Sequence, residues 1–227
     1  MQPIRVYVGL QSAPTAQARA QLAVQELERA AKLPGLRALN IGEHINGKNL
    51  HEKEFWPIYE RAEALNLPIF THNLYPTDGQ RLKDFFMINT LGNLSEDGIA
   101  AVSLICGGVM DAFPKLDVYL PHAGGTFPHL IGRMDHGTTV RAECKHMTKP
   151  PSSYLRRFHY DTITHSDSIL LNLIRQVGAD RVVMGSDCPA DMSYTQPVAV
   201  IERMKDLQAG ERELIVSGNA ARLLKVA

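Results

Sequence analysis

The chain has 227 residues, in which 24 Lys and Arg balance 24 Asp and Glu, with 44% hydrophobic and 21% charged residues. This composition is globular and excludes a disordered chain, and zero formal charge argues against a nucleic-acid binder, which needs a basic face. The length fits one α/β domain over residues 1–227, and the longest apolar run, Ile99–Met110, is too short for the roughly 20 residues of a membrane span.

Six short apolar or β-branched runs follow one another: Arg5–Leu10, Leu36–Ile41, Pro68–Thr71, Asp117–Leu120, Phe158–Asp161 and Arg181–Gly185. They are continuous rather than alternating, as in strands covered on both faces of a parallel sheet. Between the first two, Ala20, Val24, Leu27 and Ala31 form a helical stripe with Thr15 as N-cap and Glu28–Lys32 as an i,i+4 pair. Phe55, Ile58, Tyr59 and Ala62 form a second stripe. Leu170, Leu173, Ile174 and Val177 form a third, closed by Gly178 where a C′ glycine belongs. Trp56 and Phe85–Phe86 are expected to pack rather than to line a pocket. The basic pair Arg156–Arg157 reads as the flank of a strand.

Alternating strands and helices allow a doubly wound sheet or a (β/α) barrel. Four runs end in a polar residue able to do chemistry: His72, His122, Asp161 and Asp187. A barrel collects such residues at the C-terminal rim of its strands. A dinucleotide-binding sheet would instead show G-x-G-x-x-G after its first strand, and Gln-Ser-Ala-Pro-Thr stands there. The barrel is the expected fold.

Imidazole and carboxylate together suit zinc, manganese or iron, and a catalytic zinc keeps a position open for water, whose pKa it lowers. Each residue alone has a plainer reading. His72 could be a hydrogen-bonded core histidine, Asp187 a helix cap, and Gly124–Gly125 a tight turn, although those glycines could also let backbone N–H groups approach an anion. His44 and His51 read as solvated loop residues. His129, His136, His146 and His159 read as surface residues or neighbours of the site.

The order Thr-His72-Asn, Pro-His122-Ala-Gly-Gly-Thr-Phe-Pro, Gly-Arg133-Met-Asp-His-Gly, Tyr-Asp161-Thr-Ile-Thr-His165 and Met-Gly-Ser-Asp187-Cys-Pro resembles the amidohydrolase-related metal-dependent family, in particular its aminocarboxymuconate-semialdehyde decarboxylases. The closing Gly218-Asn219-Ala-Ala-Arg-Leu-Leu is similar to that family's last helix. The resemblance implies a distorted (β/α)8 TIM-like barrel with one divalent metal, commonly zinc. It implies His72 and Asp187 as metal ligands, and His122, Asp187 and Arg133 as catalytic groups, with His122 moving protons. It also implies Arg133, Asp161 and His165 near the substrate, and Arg133 reaching a neighbouring subunit's site in a homodimer, where a planar guanidinium suits a carboxylate.

The family's first strand carries a His-x-His pair that this sequence lacks, so the barrel is expected to be incomplete at its N-terminus, metal binding weak and turnover poor. Three functions remain open at this point. The first is decarboxylation of an unsaturated or aromatic carboxylic acid. The second is hydrolysis of an ester, lactone or amide. The third is a metal-poor remnant serving as a binding or oligomerisation module. The three cysteines, Cys106, Cys144 and Cys188, contain no C-x-x-C and predict a reducing, cytoplasmic setting, while the balanced charge and short apolar runs predict neither nucleic-acid nor membrane partners.

Overall fold

The computed structural model describes residues 4–7, 16–73, 76 and 79–226. In chain order, β1 (Ile4–Tyr7), α1 (Ala16–Ala30) and β2 (Leu36–Ile41) lead to a small hairpin, β3 (His44–Ile45) and β4 (Lys48–Asn49). Then come α2 (Trp56–Ala64), β5 (Ile69–Thr71), α3 (Leu94–Cys106), α4 (Val109–Ala112), β6 (Val118–Leu120), α5 (Phe127–Val140) and β7 (Phe158–Tyr160). The C-terminal part holds α6 (Asp167–Val177), α7 (Pro197–Glu202), α8 (Ala209–Glu213) and α9 (Asn219–Leu224). Among the described residues no helix is long and apolar enough to cross a membrane.

The main sheet runs β1-β2-β5-β6-β7, every pair parallel, with Ile4 beside Leu36, Leu39 beside Ile69, Ile69 beside Val118 and Val118 beside Phe158. A doubly wound sheet reverses direction at a switch point; this one advances strand by strand in a single sense, as barrel staves do. The run Arg181–Gly185 departs from expectation. It makes one bridge, Tyr160 to Val182, and Val183 N donates to Tyr160 O at 2.7 Å. Met184 N then turns away to Ile215 O at 2.9 Å, so the ladder stops there. Of Arg5–Leu10, only the part up to Tyr7 lies within the described residues, and Thr15 lies outside them.

Leu39, Ile69, Val118, Leu120, Phe158 and Tyr160 from the sheet join Leu27, Ile58, Leu104, Phe127 and Leu170 from the helices in one buried cluster. All four residues of the α2-region stripe and all four of the α6 stripe are buried. Ser166 caps α6 by accepting from Ile169 N, and Gly178, at φ +90°, ends it. The expected Glu28–Lys32 pair does not form. Helix α1 stops at Ala30, before Lys32, and Glu28 instead meets Arg61 of α2 at 2.9 Å.

Trp56 packs edge-on against Phe113 at 5.3 Å between ring centroids, as expected. The Phe85–Phe86 expectation is overturned: both residues turn the chain through left-handed backbone, at φ +55° and +60°, and Phe85 is 92% exposed. Arg156 and Arg157 do flank β7. Arg156 pairs with Asp180 at 3.0 Å, and Arg157 donates to Met110 O at 3.1 Å.

Candidate metal centre

The strand ends place the polar residues. His72 follows β5, His122 follows β6 by one proline, Asp161 follows β7, and Asp187 lies four residues beyond the last ladder contact. His72 Nε2 and Asp187 Oδ1 are 3.8 Å apart, His122 Nε2 and Asp187 Oδ2 4.0 Å apart, and one donor atom from each of the three residues falls within 4.8 Å of the other two. Two ligands at about 2.0–2.2 Å from a shared ion, near the tetrahedral angle, stand some 3.3–3.6 Å apart, so small side-chain shifts bring this set into range. The distal nitrogens fit too. His72 Nδ1 lies 2.9 Å from Asn73 O, and a carbonyl can only accept, so Nδ1 carries the proton and Nε2 keeps its lone pair for a ligand. The side chains of His122 and Asp187 are 10% and 13% exposed and that of His72 46%, so the cluster opens to solvent on the His72 side.

His122, Ala123, Gly124 and Gly125 all have positive φ, at +50°, +58°, +79° and +55°. For the first two such backbone is unfavourable and persists only when neighbours fix it. Asp161 does so. Its carboxylate accepts from His122 N at 2.9 Å, Ala123 N at 2.7 Å, Ile163 N at 2.9 Å and the Tyr119 hydroxyl at 3.0 Å. Both Asp161 oxygens are thus engaged by the protein, which gives Asp161 a positioning part at the site.

The glycines do not present free N–H groups to an anion, as they could have done: Gly124 N donates to Pro121 O and Gly125 N to His122 O. They permit close approach instead. A Cβ on Gly124 would stand 2.8 Å from the Tyr160 ring, and one on Gly125 would stand 2.7 Å from Asp97 Cβ.

That approach brings in two groups the sequence reading missed. Asp97, fully buried on α3, sits with Oδ2 2.9 Å from His122 Nδ1. Glu43, also buried, comes from the loop after β2, and its Oε1 accepts from Thr71 Oγ1 at 3.4 Å. Burial, with Asp97 alongside, pushes the Glu43 carboxyl up to about 11, and burial likewise raises Asp97 well above the usual carboxylate range. The Gly-Glu-His-Ile-Asn-Gly segment drew notice for its histidine, yet the glutamate is what reaches inward. His44 stays in the hairpin, accepting from Gly47 N at 3.3 Å, and His51 packs under Gly107; neither joins the cluster. The one available signal was an acidic residue within a glycine-flanked loop directly after a strand.

Beside the cluster lies a cavity of about 430 Å³, with His122 and Asp187 on one side and apolar walls from Leu130, Ile163, Ile169 and Met192. Asn89, Thr90, His129 and His165 supply its polar edge. His165 is thus at the cavity, as the resemblance implies, with its ring 4.7 Å from that of Tyr194. His129, read as a surface residue or a neighbour of the site, is exposed and also lines it. Arg133 does not: it is exposed on α5 and lies outside the cavity lining of its own chain. His159 is buried rather than surface, with Nε2 3.4 Å from Asp117, and this contact holds the Asp117 carboxyl below its ordinary range.

Comparison with known proteins identifies relatives of this chain. An amidohydrolase family model matches residues 2–226. A 2-amino-3-carboxymuconate-6-semialdehyde decarboxylase of Dictyostelium discoideum is 31% identical over 220 residues, covering 96% of this chain and 61% of that protein. The crystal structure of 5-carboxyvanillate decarboxylase from Sphingomonas paucimobilis superposes with a TM-score of 0.84 at 27% identity, over 93% of this chain and 65% of that one. A dihydroxybenzoic acid decarboxylase from Polaromonas sp. JS666, solved with bound manganese and 2-nitroresorcinol, gives 0.80 at 23% identity over 91% and 66%, a likeness of fold. The chain spans about three fifths of the length of the curated relatives it matches.

Proposed function

The chain belongs to the amidohydrolase family, and from that premise we propose that it is a metal-dependent decarboxylase of an unsaturated or aromatic carboxylic acid. The observation that carries this reading is the convergence of His72, His122 and Asp187 beside a cavity with apolar walls. His72 and Asp187 would hold the ion, a donor set that suits zinc. A bound ion would supply Lewis acidity toward a substrate oxygen.

The chain's own residues do the rest. Leu130, Ile163, Ile169 and Met192 take the flat apolar body of the substrate and exclude water from it. His165 faces the polar substituents from the cavity edge. Breaking the carbon–carboxylate bond releases carbon dioxide and leaves an electron pair on carbon, which must take up a proton. His122, with Nε2 toward Asp187 and the cavity, takes up a proton from solvent at Nε2 and passes it to the carbon, returning to its neutral form. Asp161 keeps the His122 turn in place. Arg133, exposed on α5, binds a substrate carboxylate across a homodimer interface, the contact its position denies it within one chain. The three free cysteines accord with a cytoplasmic setting.

The test is turnover of 5-carboxyvanillate and 2,6-dihydroxybenzoate with zinc or manganese supplied. Carbon dioxide release without incorporation of ¹⁸O from water into the organic product is expected. Incorporation of solvent oxygen into the product would replace decarboxylation by hydrolysis. Light scattering of the purified chain decides the dimer.

A further inference from the structure

We propose that Glu43 and Asp97 are a positioning pair that holds His122 in its Nδ1–H tautomer, leaving Nε2 bare toward Asp187 and the cavity. The inference deepens, and rests on, the reading of His122 as the proton-transfer group.

Asp97 Oδ2 and His122 Nδ1 are 2.9 Å apart, so one of them carries the proton. Were it Asp97, the imidazole would have to place its own hydrogen on Nε2, leaving no lone pair there to take up a proton from solvent. The other ends of the two carboxyls settle the choice. Glu43 Oε2 and Asp97 Oδ1 are both buried and have no donor if both groups are ionised. A proton on Glu43 donated to Asp97 satisfies both oxygens together. It also leaves Asp97 Oδ2 purely an acceptor, so His122 Nδ1 must donate. Burial favours one shared proton over two adjacent charges.

Nothing local in the sequence joins these residues. Glu43 comes from the loop after β2 and Asp97 from the first turn of α3. Gly98 and Gly125 let α3 and the His122 turn approach each other, since a Cβ on Gly98 would collide with the Thr126 side chain and one on Gly125 with Asp97.

The experiment is ¹⁵N NMR of histidine ring nitrogens in the intact chain, with the His122 signals assigned by their loss in His122→Asn. The wild-type chain should show Nδ1 protonated and Nε2 unprotonated at neutral pH. Asp97→Asn, whose amide can donate to Nδ1, should shift the ring to the Nε2–H form, while Glu43→Gln, which keeps a donor toward Asp97, should leave it Nδ1–H. An Nε2–H ring in the wild type overturns the proposal without any variant, as does an unchanged tautomer in Asp97→Asn. If Asp97→Asn does not fold, the wild-type and Glu43→Gln spectra decide. Turnover of 2,6-dihydroxybenzoate separates this inference from the one beneath it. A loss of about 10²–10⁴-fold in kcat with little change in KM is expected for Asp97→Asn, by analogy with other histidines deprived of their orienting carboxylate. A flipped tautomer with normal turnover upholds the pair and removes His122 from proton transfer.

Discussion

Replacing Glu43 by glutamine should change how stability depends on pH. With its carboxyl raised to about 11 in the fold against 4.5 when unfolded, Glu43 is protonated in the native chain and ionised in the unfolded one across the whole neutral range. The unfolded state then binds one proton fewer, so native stability is greatest below about pH 4.5 and falls by about 1.4 kcal/mol per pH unit until the folded group itself ionises. Between roughly pH 7 and pH 9 this amounts to about 2.7 kcal/mol. The glutamine side chain keeps the size and an N–H donor toward Asp97 but has no proton to gain, so the stability of the Glu43→Gln chain should stay level over that interval. Urea unfolding of both chains in the presence of a chelator, followed by circular dichroism at several pH values, measures the difference. Parallel curves for wild type and Glu43→Gln would place the proton elsewhere and refute the assignment.

Gly125→Ala should cost about 3–5 kcal/mol, because its Cβ would press on Asp97 at a backbone of φ +55°, and the loss should appear as a lowered Tm. Asn219→Ala should cost about 1–3 kcal/mol in denaturant unfolding: its amide donates to Ala179 O at 2.7 Å and Val182 O at 2.6 Å, and its loss would leave Val182 O bare and Ala179 O with only the 3.3 Å bond from Val182 N. Exhaustive dialysis of this chain should leave well under an equivalent of zinc by elemental analysis, since two ligands, His72 and Asp187, hold an ion less firmly than a closed shell. Near-stoichiometric zinc after dialysis would contradict this.

Much of the architecture was legible because strands covered on both faces must be continuously apolar. Leu36–Ile41 was found to the residue, and the β5, β6 and β7 runs within a residue or two, with their rim residues correctly at the C-terminal ends. The helical stripes were equally visible, since burial imposes their period. The segment 181–185 was not legible, because whether an apolar run pairs depends on where its donors go, and Met184 N goes to Ile215 O. His72, His122 and Asp187 could be named from their places in motifs. Asp161 could be placed but not assigned its work, which depends on hydrogen bonds from the loops after two strands and from a tyrosine. Glu43 and Asp97 stayed invisible: a buried carboxyl looks like any surface acid until the backbone around it is known. Phe85 and Phe86 misled in the opposite sense, large apolar side chains turned outward by the chain's local handedness.

The Asp161 carboxylate fastens the loop after β6 to the one after β7, and this bears on any effort to redirect the site. Barrel loops are commonly exchanged one at a time to change specificity, on the premise that each is an independent module. Here residues 121–125 and 161–163 share one anchor. A graft that replaces either alone would strand the other's amides, so the two must be transplanted as a single cassette with Tyr119 beneath them.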